Sequence, residues 1–270
     1  SPDSKKIAFI NYLQEISVLN VATGDISVID KTTLLTYNGL QGFELSWSSD
    51  NNWLAYSKNG ENLNQAIYLY NLENKKLHQV TAGYYNDSDP VFDPNGKYLY
   101  FKTDRRLQPS YSGLDATWIY PNTTQIAYAS LDPTANSLLA ARNDEVKVSA
   151  DSTAAAKSSA AKADSTKKST VKSLSVTADG FEARVQVLPP VAGNYGRLIA
   201  IEGKLLYARF PNTGTTGEQP SIYYYDIEKR EEKKVMGGTG NFGVSGDGKS
   251  ILVLQGTNLG IIKPAPDQKI

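Results

Sequence analysis

The 270-residue chain has no cysteine, which excludes disulfides, thiolate metal sites and a cysteine nucleophile. It leaves the compartment open, because oxidising and reducing environments both tolerate cysteine-free chains. Histidine is nearly absent too: His78 stands alone, so a Ser-His-Asp arrangement within these residues has one base to draw on. Neither sign of charge is in excess, since Lys plus Arg and Asp plus Glu both number 28. With no net field to attract phosphates or anionic lipid, neither nucleic acid nor a membrane is an expected partner. No apolar run approaches the roughly 20 residues that cross a bilayer, and no charged-plus-apolar leader precedes Ser1, so the chain reads as soluble. Methionine occurs once, whereas tyrosine occurs 17 times and glycine 21 times. Together with many Asn and Asp positions, that balance favours strands and turns over helices.

The turns and strands repeat. Ser1 to Phe9 reads SPDSKKIAF, Ser48 to Tyr56 reads SSDNNWLAY, Asp93 to Phe101 reads DPNGKYLYF and Ser245 to Val253 reads SGDGKSILV. Asp3, Asp50, Asn95 and Asp247 share one slot, with spacings of 47 from Asp3 to Asp50 and 45 from Asp50 to Asn95. A period of roughly 40 to 50 residues marks a solenoid or a propeller. Each polar turn leads into a short buried strand: Ile7 to Ile10, Trp53 to Tyr56, Tyr98 to Phe101, Ile251 to Leu254. A second unit, Ile16 to Ile29, Ile67 to Val80 and Ile222 to Val235, aligns without a gap and reads as a β-hairpin with a more polar outer strand. A further strand ahead of the turn, as at Phe43 to Trp47 or Pro90 to Phe92, completes a four-stranded antiparallel sheet per period. Such a sheet cannot cover its own faces, and radial packing of several buries both.

The expected fold is therefore all-β, a β-propeller of four-stranded antiparallel blades occupying residues 1–270. About five blades begin near Ser1, Gly42, Asp87, Asn194 and Gly240. They are expected to be part of a six- or seven-bladed ring in a larger protein, because Ser1 opens in mid-repeat. The fourth blade is degenerate, with Glu202-Gly203-Lys204 holding the turn but no shared Asp. Local N–H bonds to the turn carboxylate account for the Asp slot without a ligand. Residues 150–170, ADSTAAAKSSAAKADSTKKST, form a low-complexity insertion in the third blade with almost nothing to bury.

Chemistry is sparse. There is no G-x-S-x-G elbow, and the Gly-Gly-Thr-Gly stretch at 237–240 reads as a connector between blades. His78 falls on an outer return strand, where a solvent-facing role outweighs catalysis, so no catalytic residue is assigned. Asp87 and Asp89, with Asn86 and Asp93 nearby, offer oxygen ligands of the kind calcium takes. A solvated blade-entry loop is the plainer reading, and neither metal nor cofactor is expected. Arg105 and Arg106 follow an inner strand and are candidates for gripping a peptide carboxylate through bidentate hydrogen bonds. The plainer alternative is one arginine paired with Asp104 or Asp115 and the other solvated.

The run Asp89 to Arg106, followed by Thr124 to Leu131, resembles the propeller region of tricorn-type serine peptidases. So do Asp179-Gly180-Phe-Glu-Ala-Arg184 through Pro189 and on to Leu198, and the closing Gly260 to Lys269. The first forty residues match only the general pattern shared with TolB-like and prolyl-oligopeptidase propellers. The resemblance implies a non-catalytic domain that gates or docks peptides for a catalytic core outside this chain. Its implied partners are peptides and the PDZ-like and catalytic domains of the same polypeptide, with a homo-oligomer compatible. An extracytoplasmic, periplasmic location is implied as well. The alternative is a TolB-like scaffold for protein–protein interaction. A prolyl-oligopeptidase-type filter over an α/β-hydrolase is a third reading.

Overall fold

The computed structural model describes residues 1–32, 44–142 and 173–270. The insertion at 150–170 and the Gly42 blade start lie outside them. Every strand pairing is antiparallel, and the sheets follow one another along the chain. The first holds β1 (Lys6–Ile10), β2 (Glu15–Asn20) and β3 (Ile26–Lys31), and the second holds β4 (Ser46–Trp47), β5 (Trp53–Asn59), β6 (Gln65–Asn71) and β7 (Lys76–Gln79). The third sheet begins with β8 (Asp87–Phe92) and β9 (Tyr98–Thr103). A small separate hairpin, β10 (Ser110–Tyr111) and β11 (Trp118–Ile119), interrupts it before β12 (Gln125–Ser130) and β13 (Gln186–Val187) complete the order β13-β12-β9-β8. The fourth runs through β14 (Asn194–Ile201), β15 (Lys204–Phe210), β16 (Ser221–Asp226) and β17 (Glu231–Gly237), the fifth through β18 (Asn241–Val244), β19 (Ile251–Gln255) and β20 (Asn258–Ile262). The Gly-rich 237–240 stretch links β17 to β18, as expected of a connector.

The repeated polar turn has one construction. Asn51 and Gly248, its fourth residues, take φ of +63° and +70°, and their N–H groups bond the carbonyls of Ser48 and Ser245. The first-slot serine hydroxyl donates to the third-slot aspartate at 2.7 Å for Ser1–Asp3 and 2.6 Å for both Ser48–Asp50 and Ser245–Asp247. The same hydroxyl accepts the N–H of the incoming inner strand, from Lys6 at 2.9 Å, Trp53 at 2.9 Å and Ser250 at 3.0 Å. The carboxylate accepts the N–H two residues on. These bonds satisfy donors that a strand leaves orphaned at its start. At Asp3 and Asp247 the serine hydroxyl is the main cause holding the carboxyl below its ordinary range. In the third sheet Asp93 replaces the serine and accepts the Lys97 N–H at 3.2 Å. Gly96 is required there, since its φ is +67° and a Cβ would meet Leu174 at 2.7 Å.

Four hydrophobic clusters sit one between each successive pair of sheets. Ile16 and Val18 pack on Leu54 and Tyr56, Ile67 and Leu69 face Leu99 and Phe101, Tyr98 and Tyr128 face Tyr195 and Tyr207, and Leu206 and Ile222 face Ile251 and Val253. This is radial packing of sheets that cannot bury both faces alone. The tyrosine richness has its reason here: rings fill the space between sheets while hydroxyls reach partners at the margin. Tyr128 donates to Gln186 at 2.7 Å, Tyr207 to Glu232 at 2.6 Å and Tyr98 to the Asn136 carbonyl at 2.6 Å.

Because the strands alternate in direction, the assembly has two unlike ends. Tight turns joining first to second and third to fourth strands lie at one end. Loops joining second to third strands, together with the connectors between sheets, lie at the other.

Candidate functional site

The innermost strands β4, β8, β14 and β18 and their flanking turns line an open-mouthed cavity of about 890 Å³, within the range of ordinary ligand pockets. Its wall is mixed: Trp47, Val91, Leu198 and Val244 are apolar, while Glu44 and Arg197 bring opposite charges. Arg197 donates to the Phe242 carbonyl at 3.3 Å, tying β14 to β18. Asp93 also lines the cavity, and burial raises its carboxyl above the ordinary range.

The two candidate arginines leave β9 at the loop end and diverge. Arg105 is enclosed. Its Nη2 donates to Asp87 Oδ2 at 2.9 Å and Glu182 Oε1 at 3.0 Å, and its Nε donates to Thr103 Oγ1 at 3.1 Å. The guanidinium lies 4.7 Å from the centre of the Tyr85 ring. The carboxylates it meets are Asp87, whose side chain is 0% exposed, and Glu182, at 32%. The sequence alternative of a pairing with Asp104 or Asp115 is not what forms: Asp104 accepts from Thr124 at 2.7 Å and Asn86 at 3.3 Å. Glu182 comes from a single 3-10 turn, Glu182–Arg184, far along the chain, and no local pattern announces that contact. Arg106 is exposed, and its guanidinium hydrogen-bonds the Gln108 side chain.

The carboxylates considered for calcium are taken by cations. Asp87 pairs with Arg105, and Asp89 pairs with Lys102 across a bulge in the β8–β9 ladder. No metal-sized group of His, Asp or Glu occurs among the described residues. His78 sits on β7 with its ring 6.2 Å from that of Trp53, half-buried rather than turned wholly to solvent. No hydroxyl or carboxylate among the described residues bonds it. The buried phenols hold their protons at neutral pH, since burial raises Tyr195 to about 12 and Tyr56, Tyr100 and Tyr207 further still.

Between the sheets the loop end is laced by asparagines that the repeat pattern does not single out. Asn62 donates to the Gly83 carbonyl at 2.8 Å, the Gln65 N–H reaches Asn86 at 3.0 Å, and the Thr213 N–H reaches Asn122 at 2.8 Å. Asn194 joins Asn122 at 2.9 Å. The density of Asn in the connectors is the one signal that could have found this scaffold.

Residues 1–265 match the family described as "Tricorn protease second beta propeller domain". The chain belongs to this family. Curated relatives of this tricorn propeller include the tricorn protease homolog of Saccharolobus solfataricus, 24% identical over 262 residues that make up 94% of this chain and 21% of that protein. Tricorn protease homolog 1 of Streptomyces coelicolor is 24% identical over 94% of this chain and 23% of its own length. The propeller thus spans about a fifth of those relatives. Among solved structures, the tricorn protease crystal structure superposes with a TM-score of 0.74 at 19% identity, covering 97% of this chain and 24% of that one. TolB from Acinetobacter baumannii superposes at 0.56 with 18% identity, over 97% of this chain and 50% of its own. At such identities these structures show the fold alone, an all-β propeller.

Proposed function

We propose that this propeller is a non-catalytic domain that gates or docks peptides for a serine-peptidase core lying outside these residues. The observation that carries the reading is the cavity between the innermost strands, in a chain that belongs to a tricorn propeller family. Of the two arginines proposed to meet a peptide carboxylate, Arg106 has the exposed guanidinium, and its bond to the Gln108 side chain leaves further N–H groups for a ligand. Arg105 serves by bracing the loop that presents it. A location outside the cytoplasm, contact with PDZ-like and catalytic domains of one polypeptide, and assembly into a homo-oligomer belong to the same proposal.

Calorimetric titration with a free-acid peptide and its C-terminally amidated twin tests it. Arg106→Ala is expected to weaken the acid about tenfold or more and leave the amide nearly unchanged, since a hydrogen bond to a charged group is worth about 1.5–3 kcal/mol. Equal losses for both forms would remove the carboxylate anchor, and hydrolysis by the isolated chain would overturn the non-catalytic reading. The likeness to TolB favours a second reading, a scaffold for a folded protein partner. Under it neither peptide form binds.

A further inference from the structure

The two ends of the propeller differ in surface chemistry. The tight turns are charged, for example at Lys5, Lys76, Lys97 and Lys249 beside Asp3 and Asp247, and Val21 is their one large, strongly exposed apolar side chain among the described residues. At the loop end exposed apolar side chains recur in several sheets: Tyr12 at 81%, Leu63 at 70%, Tyr84 at 81% and Val191 at 59%. They are densest on the β10–β11 hairpin, where Leu114 is 99% and Trp118 62% exposed. Exposed apolar side chains gathered on one hairpin point to an interaction surface.

The hairpin register shows what it can accept. Ser110 faces Ile119 and Tyr111 faces Trp118, and the Ser112 N–H bonds the Thr117 carbonyl at 2.8 Å. Antiparallel pairs alternate between bonded and non-bonded, so Tyr111 and Trp118 form a non-bonded pair. Close side chains are the signature of such a pair, and the Tyr111 and Trp118 rings meet edge-to-face at 5.4 Å. Their own N–H and C=O groups therefore point out of the hairpin. Among the described residues the sheet has two strands only, and no further strand pairs with either edge. On the β10 side Pro109 has no N–H to offer, whereas on the β11 side Trp118 does, and continuing the same alternation one step past the ladder turns the Tyr120 N–H outward as well. From Leu107 to Tyr120 the sole charged residue is Asp115, and hydrogen bonds from Ser112 and Thr117 hold its carboxyl below the ordinary range.

We infer that the outer edge of β11 takes up an extended, uncharged, apolar peptide segment as an added strand, with Trp118 and Tyr120 supplying both the backbone bonds and the ring contacts. Backbone pairing gives such recognition its affinity and the alternate side chains give its selectivity. The one charge of the strip, the Asp115 carboxylate, lies in the turn between the two strands and is engaged by Ser112 and Thr117, so a charged side chain laid along the β11 edge would lose hydration with little in return. The inference rests on the peptide reading above and adds the substrate class and the place of capture. It needs no terminal carboxylate.

The test uses the 270-residue chain and the doubly blocked peptide acetyl-Thr-Val-Tyr-Val-Thr-amide, followed by calorimetry and tryptophan emission. Binding with a blue shift is expected, lost on Trp118→Ala. Tyr120→Pro removes an outward N–H without touching a bond inside the hairpin, and it is expected to weaken binding at least threefold beyond Tyr120→Ala, which removes the ring alone. Circular dichroism of each variant before titration confirms the fold. If the blocked peptide binds but Tyr120→Pro equals Tyr120→Ala, strand addition is overturned while peptide docking stands. If only free-acid peptides bind, the hairpin inference falls and the carboxylate reading remains. Failure of both peptide kinds removes both readings, and a blue shift that tracks protein concentration without peptide assigns the strip to a second copy of the chain instead.

Discussion

Arg105→Ala is expected to destabilise the propeller by about 3–5 kcal/mol, the cost of breaking a buried ion pair by removing one partner. The size follows from what is left behind. Asp87 is fully enclosed and its Oδ1 already has no hydrogen-bond partner among the described residues, so losing the 2.9 Å contact to Arg105 strands a buried carboxylate. The second carboxylate, Glu182, is 32% exposed and water can replace its share, which holds the estimate to the ordinary range. Glu182 also accepts the Ala82 N–H at 2.8 Å, so the link between the connector after β7 and the 3-10 turn loosens as well. Arg106→Ala, on an exposed side chain, is expected within about 0.5 kcal/mol of wild type. At about 2–4 °C per kcal/mol for a chain near this size, the two adjacent substitutions separate by roughly 10 °C in thermal unfolding. Adding Asp87→Asn to Arg105→Ala removes the stranded charge and is expected to restore part of the loss, with a coupling of at least about 1 kcal/mol in the double-mutant cycle. Equal melting temperatures for the two alanine variants, or a coupling near zero, would refute the reasoning.

The repeated turn offers an internal comparison: Ser48→Ala removes a buried hydroxyl that serves Trp53 and Asp50 and is expected to cost about 1–3 kcal/mol. Ser245→Ala, the same motif in an exposed turn, is expected to cost under about 0.5 kcal/mol in urea denaturation, where water replaces the lost bonds. Burial raises the Asp93 carboxyl, so ionisation costs the folded state stability as pH climbs past the ordinary value of about 3.9. Asp93→Asn, whose amide oxygen can still accept the Lys97 N–H, should therefore gain on wild type between about pH 4 and 7 and show no gain below pH 3.5. Thermal unfolding at both pH values checks this, and a variant that loses ground as pH rises would contradict it.

The blade plan was legible in the sequence because it is local. Ser48-Ser-Asp50 and Ser245-Gly-Asp247 close their turns with groups two to five residues apart, and strand alternation follows from chain geometry alone, so inner strands and hairpins fell where the repeat placed them. The serine half of the bracket was visible in the same alignment, but its role emerges only with the strand N–H in position. Other features needed the tertiary structure, because they join residues that no period relates. Arg105 and Arg106 are indistinguishable as letters. What separates them is Glu182, which arrives 77 positions later to claim one guanidinium, and the strand geometry that turns the other outward. Likewise Asp50 and Asp247 share one slot, yet Asp50 is buried because its second oxygen accepts the Leu174 N–H at 2.8 Å from a distant segment. The unlike ends of the propeller arise the same way. Turn and loop residues alternate along the chain, and only the stacking of strands gathers the charged turns at one end and the aromatic loops at the other.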